Sequence, residues 1–310
     1  MNTLTPWFQL IRLPAVFTLL ADTLMAAFVV QSLRPEVPTA GLVAAGIGAV
    51  FAYLAGMILN DVHDYPEDCV LRPERVLPSG KISLADAKRA GYVCLILGLA
   101  GFGIAATRMP ENGAFVFLPA LFLTLCILAY NTRLKETFCG PFLMGACRGF
   151  QIQAILGFTA GMKVSLGLVP LAIATYITGL TFFARGETHA AKRPGPFAML
   201  LSVLLMTAGV GMLYPLVEGM PAEQVVVLLA AEPWRWTMLI VFLAVMVFFR
   251  GIAATFAGPV AVRQMVKRSL FNLFFLDAAI TFALCGLPCA CVILALMIPA
   301  SLAGRSISAT

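Results

Sequence analysis

Long, uninterrupted apolar runs constrain this fold more than any other feature of the sequence. A helix needs roughly 20 residues to cross a hydrocarbon layer of about 30 Å. With 61% of its 310 residues hydrophobic, 12% charged and a mean hydropathy of +0.94, the chain is excluded from the class of soluble domains. The continuous apolarity also excludes an outer-membrane barrel, whose strands alternate. About nine runs are long enough, near 12–32, 39–60, 84–106, 114–131, 140–160, 165–184, 196–217, 233–249 and 268–303.

The last run is too long for one straight crossing, and Gly286-Leu287-Pro288 is expected to kink it or divide it in two. The sequence therefore predicts an all-α polytopic membrane bundle of about nine transmembrane helices, and we interpret residues 1–310 as a single integral membrane domain.

The distribution of basic residues indicates membrane orientation rather than nucleic-acid binding. The net charge of +6 is spread over short loops and forms no single patch, so no nucleic-acid partner is expected. When successive helices alternate in direction, sixteen Lys and Arg residues fall on one side and five on the other. By the positive-inside rule, the N-terminus and the loops after the second, fourth, sixth and eighth runs are cytoplasmic. We expect a multi-pass protein of the inner (cell) membrane.

The densest group of acidic residues follows the second run, in the segment 60–68. Asn60, Asp64 and Asp68 are four residues apart and share one helix face, with Asp61 beside them. Hard oxygen ligands at this density suit Mg²⁺, whereas the alternative is that the acids only solvate a helix end. Pro66 is expected to end or kink the helix, which would leave Asp68 in the loop.

A basic stretch, 72–81, follows immediately. Its Arg and Lys side chains are suited to grip phosphate oxygens. Acids for a metal followed by bases for an anion outline a diphosphate site, and the alternative is a topogenic signal.

Together these segments resemble the UbiA superfamily of intramembrane prenyltransferases. The family motif N-D-x-x-D-x-x-x-D is filled by Asn60, Asp61, Asp64 and Asp68. The following R-P-x-R-P-L-P-S-G-x-I-S stretch is nearly reproduced by residues 72–83, with a valine at 76 in place of a proline. Further similarity lies in 12–14, which read Arg-Leu-Pro, and in a tyrosine at 130 followed by a lysine at 135.

The resemblance implies a bundle around a central cavity, with two Asp-rich motifs that each bind Mg²⁺ on an isoprenoid diphosphate. The second motif departs from the family, because Glu187 is the only acid in 182–193. Glu187 would hold a second metal alone, or Arg185, Lys192 and Arg193 would replace that cation, or ionisation has been lost. Divergent, EboC-type branches share this degenerate motif.

The resemblance also implies roles for individual residues. Metal binding and catalysis are expected from Asp61, Asp64, Asp68 and Glu187, with Asn60 orienting or ligating. Substrate binding is expected from Arg72, Arg75, Tyr130, Lys135, Arg148 and Arg185. Aromatic faces near a developing allylic cation would come from Phe51, Tyr53, Tyr130, Phe182 and Phe183, although packing is the alternative role for each.

Two acids, Asp22 and Asp277, lie inside apolar runs, where an ionisable residue is a candidate for function. They are expected either to bind the acceptor or relay a proton, or to pair with a polar residue such as Asn272 or Gln151. His63 and His189 would either shuttle a proton or remain solvated in their loops.

The expected function is Mg²⁺-dependent transfer of a prenyl group from an isoprenoid diphosphate to a hydrophobic acceptor within the membrane, with an aromatic compound as one candidate and membrane lipids as partners. The alternatives are a non-catalytic protein that binds or translocates a lipid-like metabolite, and a proton-coupled transporter that uses Asp22 and Asp277.

Overall fold

The computed structural model describes residues 4–109, 111–162, 166–187 and 194–308, with no description of the side chains of Glu187 and 306–308. All the regular secondary structure in this part of the chain is α-helix or 3-10 helix, and no strand occurs in it. The α-helices are α1 (Thr5–Leu10), α2 (Leu13–Leu33), α3 (Thr39–Leu71), α4 (Leu84–Thr107), α5 (Gly113–Tyr130), α6 (Gly140–Leu156), α7 (Leu168–Ala184), α8 (Pro196–Gly211), α9 (Val227–Ala231), α10 (Trp234–Ala257), α11 (Pro259–Cys285), α12 (Leu287–Ala295) and α13 (Met297–Ser308).

The predicted all-α membrane bundle is confirmed. Eight helical segments of the described residues are long and apolar enough to cross a membrane. The runs 140–160 and 165–184 are also helical, as α6 and α7, but each of these helices has only 17 residues. The last run is divided at Gly286, which has φ 87° and separates α11 from α12.

One connection is much shorter than the apolar runs predict. The predicted runs leave residues 250–267 as a connection, yet α10 continues to Ala257 and α11 starts at Pro259. Gly258 alone joins them with φ 98°, a conformation that side-chain-bearing residues rarely adopt. The basic residues of this segment therefore lie on helices, where they extend α10 and α11 towards the predicted cytoplasmic end.

Adjacent helices pack closely where small residues face each other. A Cβ added at Gly101 of α4 would lie 2.8 Å from the Cα atom of Gly48 on α3, and one added at Gly48 would lie 2.9 Å from the carbonyl oxygen of Gly98. In a membrane, helix association depends on such close packing because lipid is as apolar as the helix surface. The first long helix, α2, packs against α3, α6, α11 and α13, which brings the N-terminal and C-terminal parts of the chain together.

Candidate active site

The Asp-rich segment lies on the last turns of α3, which at 33 residues is long enough to extend beyond the bilayer. The expectation that Pro66 ends the helix is wrong, because α3 continues through Pro66 to Leu71. Pro66 lacks the N–H that would bond the Val62 carbonyl. At a helix end close to water, solvent can satisfy that carbonyl, so the helix tolerates the proline.

Asn60, Asp61 and Asp64 form the centre of the candidate site. The Asn60 side-chain amide lies 3.4 Å from Asp61 Oδ1 and 3.3 Å from Asp64 Oδ2. Lys135, which belongs to the 3-10 turn Arg133–Glu136 after α5, donates through Nζ to Asn60 Oδ1 at 2.9 Å and to Asp64 Oδ2 at 2.5 Å. An amide oxygen and a carboxylate oxygen are thus directed at one cation.

Arg12 adds a second positive charge. It directly precedes α2, has φ 52°, and donates through a terminal nitrogen to Asp61 Oδ1 at 3.3 Å. The side chain of Arg12 is 46% exposed, whereas that of Asp61 is 15% exposed. The cation therefore covers the acid from the aqueous side, and this contact is one that the spacing of residues did not predict.

Asp68 and Arg75 are paired with each other. The Arg75 guanidinium donates to Asp68 Oδ2 at 2.7 Å, and the Asp68 side chain is only 7% exposed. The loop is also anchored by Val76, Leu77 and Ile82, which form a small apolar cluster with α1, α3 and α4. Asp68 and Arg75 thus hold the basic loop against α3, while Arg72 is exposed at the end of α3.

The second loop contributes Arg185, at the start of the 3-10 turn Arg185–Glu187 after α7. Its guanidinium donates to the carbonyl oxygens of Lys135 and Thr137, at 3.2 and 2.7 Å, and lies 5.4 Å from the ring centroid of Phe182. The loops after α5 and α7 therefore meet beside the Asp-rich segment. The Glu187 side chain is not described, and His189, Lys192 and Arg193 lie outside the described residues.

A mainly apolar cavity of about 320 Å³ leads inwards from this site. Arg12, Tyr130 and Asn131 line its mouth, and Lys135 Nζ lies 5.9 Å from the centroid of the Tyr130 ring. Of the other aromatic candidates, Tyr53 also lines this cavity. Phe182 packs with two other phenylalanines, Phe183 is fully buried in the core, and Phe51 lines a separate groove beside α2.

The inner part of the cavity holds an ion pair. Arg148 lines the cavity from α6, donates to Thr18 Oγ1 at 2.8 Å, and contacts the carboxylate of Asp22 through Nε. Asp22 and Asp277 are both fully buried and are neighbours in the bundle.

The structure thus gives Asp22 a partner that the sequence analysis did not foresee. Gln151, one of the two expected partners, donates instead to Thr23 at 2.9 Å, and the side-chain nitrogen of Asn272 is buried with no described hydrogen-bond partner. Arg148 also lies apart from the other substrate-binding candidates, eight residues and about 12 Å into α6. A hydropathy pattern cannot show this pairing, because the residues are 126 positions apart along the chain.

The oxygen donors at the mouth fit one Mg²⁺ ion bound jointly with phosphate. Among the described residues, no three His, Cys, Asp or Glu side chains are grouped closely enough to hold a metal by themselves. Asn60, Asp61 and Asp64 nevertheless converge, and Asn60 and Asp64 already bind the Lys135 ammonium. Mg²⁺ usually takes one or two carboxylates, keeps several waters and completes its shell with substrate phosphates, so this donor set is suitable.

Known proteins share both the sequence pattern and the fold. Digeranylgeranylglyceryl phosphate synthases are similar in sequence: that of Methanobrevibacter smithii is 28% identical over 193 residues, 61% of this chain and 62% of that protein. The enzyme of Methanoregula boonei is 30% identical over 166 residues, 46% of this chain and 56% of that protein. The matches thus span less than two thirds of these relatives' lengths.

Two solved structures share the fold. One, of digeranylgeranylglyceryl phosphate synthase, has a TM-score of 0.63 at 17% identity and covers 96% of this chain and 99% of that one. Another, a UbiA homologue from Archaeoglobus fulgidus bound to GPP and Mg²⁺, has a TM-score of 0.57 at 14% identity and covers 89% of this chain and 99% of that one.

The model of the UbiA prenyltransferase family matches residues 16–257, which include the Asp-rich segment, Lys135 and Arg185. This match covers most of the chain, and the helical bundle agrees with it. The chain belongs to the UbiA prenyltransferase family.

Proposed function

We propose that this protein transfers a prenyl group from an isoprenoid diphosphate to a hydrophobic acceptor inside the membrane, in a Mg²⁺-dependent reaction. The observation that carries the proposal is the convergence of Asn60, Asp61 and Asp64 with Lys135 and Arg12 at the mouth of an apolar cavity. A diphosphate at the mouth would have its hydrocarbon chain directed into a region that excludes water.

The cations at the mouth would stabilise the leaving group. When the bond between the prenyl carbon and the diphosphate oxygen breaks, its electron pair goes to the diphosphate, and preorganised positive charge lowers the cost of that transfer. Mg²⁺ would supply Lewis-acid stabilisation of the diphosphate, held by Asp61 and Asp64 with Asn60. Lys135 would move from Asp64 to a phosphate oxygen, and Arg12 and Arg72 are placed to add further donors. A nucleophilic atom of the acceptor then bonds to the prenyl carbon and loses its proton.

Arg185 takes a place beside this site where a second Asp-rich motif is expected. Its guanidinium is bound to the carbonyl oxygens of Lys135 and Thr137. We propose that Arg185 contributes the positive charge of the second motif, by holding the Lys135 loop and by facing the diphosphate. Glu187 remains a candidate for a second metal.

The proposal does not specify the chemical class of the acceptor's head group. The similar proteins are named for a glyceryl phosphate product. The apolar wall of the cavity suits a glyceryl lipid and an aromatic acceptor alike.

A second candidate function is binding or translocation of a lipid-like molecule without chemistry. It is favoured by one observation, that Glu187 is the only acid in the segment 182–193. Such a protein would bind prenyl diphosphate and release no pyrophosphate.

Pyrophosphate release from the purified protein decides between the two. The protein in detergent would be given a mixture of prenyl diphosphates, Mg²⁺ and a membrane lipid extract, and pyrophosphate would be measured against the same mixture with EDTA. Release that depends on Mg²⁺ and on the lipid extract is expected. Binding of the diphosphate with no release, in wild type and in Glu187→Gln and Arg185→Ala alike, would support the non-catalytic function. If catalysis occurs and Arg185 supplies the charge, Arg185→Ala is expected to reduce pyrophosphate release severely, whereas Glu187→Gln is expected to reduce it only mildly.

A further inference from the structure

The inner part of the cavity carries polar groups that the diphosphate site does not use. Arg148 and Thr18 line it from α6 and α2, and Tyr53 lines it from α3. The Tyr53 hydroxyl is buried and has no hydrogen-bond partner within the described residues. A buried donor without a partner costs free energy, so this hydroxyl is arranged for a group that enters the cavity.

These groups are too deep to bind the diphosphate. Tyr53 precedes Asp61 by eight residues on α3, which corresponds to about 12 Å along the helix axis. Arg148 lies a similar distance into α6. The hydrocarbon chain of a prenyl diphosphate reaches this depth but offers no hydrogen-bond acceptor. The polar groups are therefore suited to the second substrate.

The charge of the inner site is set by two acids behind Arg148. Asp22 contacts the guanidinium, and Asp277 is a fully buried neighbour of Asp22. Apart from Arg148, neither carboxyl group has a hydrogen-bond donor among the described residues. Two neighbouring buried carboxylates would repel each other, and the single guanidinium of Arg148 can balance only one of them. One carboxylate then balances the guanidinium, and the three side chains together carry no net charge.

From this geometry we infer an acceptor subsite that selects an uncharged oxygen group, namely a hydroxyl, ether or carbonyl, with Tyr53 and Arg148 as donors. That the ligand is the acceptor rests on the proposed function. An anionic group would lose its hydration at this depth and meet a guanidinium already balanced by Asp22. Its attraction to the guanidinium would then be too weak to offset the free-energy cost of desolvation. Asp22 and Asp277 are thus positioning residues, which orient Arg148 and cancel its charge.

Binding of two matched probes tests the subsite without any need for turnover. The probes are radiolabelled 1-O-hexadecylglycerol, which is neutral, and its phosphate monoester, which is anionic. Mg²⁺ and inorganic pyrophosphate are present in every sample so that the mouth is filled. Wild-type protein is expected to bind the neutral probe at least about tenfold more tightly than the anionic one, the scale of one lost polar contact.

Three variants separate the contributions. Tyr53→Phe removes one donor and is expected to weaken binding of the neutral probe by about tenfold. Asp22→Asn combined with Asp277→Asn leaves the charge of Arg148 unbalanced, so the preference is expected to move towards the anionic probe. Thr181→Val is the control, because Thr181 lines the same cavity but its hydroxyl bonds to the Ile177 carbonyl of its own helix. It should bind both probes as wild type does.

A variant without the ion pair keeps the test informative if the other changes disturb folding. Arg148→Met with Asp22→Asn removes both members of the ion pair, leaves no unbalanced charge, and is expected to lose the discrimination between the probes. Tighter binding of the anionic probe to wild type would overturn the inference. The inference would also fail if Tyr53→Phe and the Arg148→Met, Asp22→Asn variant both bound the probes as the wild-type protein does. It would fail as well if the wild-type protein bound neither probe.

The proposed function can fail independently of this subsite. Asp64→Asn is expected to bind the neutral probe normally while losing Mg²⁺-dependent binding of prenyl diphosphate. Wild-type protein that binds the neutral probe but no prenyl diphosphate would refute the proposed donor and leave the subsite intact.

Discussion

At the scale of single residues, the candidate site depends on a few contacts between charged groups close to water. Asp64 and Lys135 bond at 2.5 Å although their side chains are 20% and 25% exposed. Because both groups reach solvent, an arriving Mg²⁺ can displace the ammonium from Asp64 without leaving either charge buried. The pair is therefore suited to exchange partners when substrate binds.

Loss of Asp64 is expected to abolish Mg²⁺-dependent binding of geranyl diphosphate. Asp64→Ala removes one of two converging carboxylates while leaving the fold intact, since the side chain lies at an aqueous helix end. Equilibrium binding of radiolabelled geranyl diphosphate with Mg²⁺ or EDTA measures the effect. Asp61→Ala is expected to lose Mg²⁺-dependent binding in the same way. Glu67→Gln is the matched control, because Glu67 is an exposed acid of the same segment. Normal binding by both alanine variants would refute the metal-site assignment.

Arg75 and Asp68 are expected to stabilise the fold as a pair. Arg75→Met leaves the nearly buried Asp68 carboxylate without its partner, which typically costs about 3–5 kcal/mol for a buried pair and less for Arg75, which is 30% exposed. Thermal unfolding in detergent should show a lower Tm for Arg75→Met and a substantial recovery when Asp68→Asn is added. If the second change gives no recovery, Arg75 acts on something other than Asp68.

At the scale of elements, glycines determine how closely α3 and α4 approach. The added Cβ of an alanine at Gly101 would meet backbone atoms of α3, and backbone cannot rotate away as a side chain can. The two helices must then separate, which also moves the Asp-rich end of α3. Helix spacing and site geometry are thus linked through one small surface.

Gly101→Ala is expected to destabilise the protein, whereas Gly103→Ala is not. An alanine Cβ at Gly101 would lie 2.8 Å from the Gly48 Cα atom, but at Gly103 the nearest contact is 3.8 Å, to a Phe117 side-chain atom. Overpacking of this kind costs about 1–3 kcal/mol. The difference in Tm between the two variants in the same detergent measures the effect. Equal melting temperatures would show that the α3–α4 interface relaxes freely.

At the scale of the whole molecule, the contacts bring the loops that follow α3, α5 and α7 to one end of the bundle. Lys135 bonds to the end of α3, and Arg185 bonds to the Lys135 loop. This agrees with alternating helix directions. The side of the membrane on which this end lies remains a prediction from the excess of basic residues.

The loop 72–83 is expected to face the cytoplasm. Ser79→Cys places a thiol at an exposed position of that loop, and Glu223→Cys places one at an exposed position expected at the opposite end. Both would be made with the exposed native cysteines Cys69, Cys139 and Cys291 changed to serine. In intact cells, an impermeant maleimide should label only Glu223→Cys, and permeabilisation should expose Ser79→Cys. The reverse pattern would invert the orientation.

The class of fold and the outline of the site can be read from the amino-acid sequence. Apolar runs of about 20 residues become helices in a bilayer because lipid offers no partner for backbone groups, and this constraint acts on each run separately. The motif at Asn60, Asp61 and Asp64 was also readable, since helical spacing places these residues together without reference to the rest of the chain.

Which charged residues pair with each other depends on how the helices pack. Asp68 is paired with Arg75, Asp22 with Arg148, and Asp64 with a lysine 71 residues away. Such pairs depend on which helix faces pack together, and packing is set by steric fit between small residues such as Gly48 and Gly101, which hydropathy does not measure. A charge buried in a membrane protein must be balanced by a neighbour in space, so its partner is determined by the packing of the helices rather than by spacing along the chain.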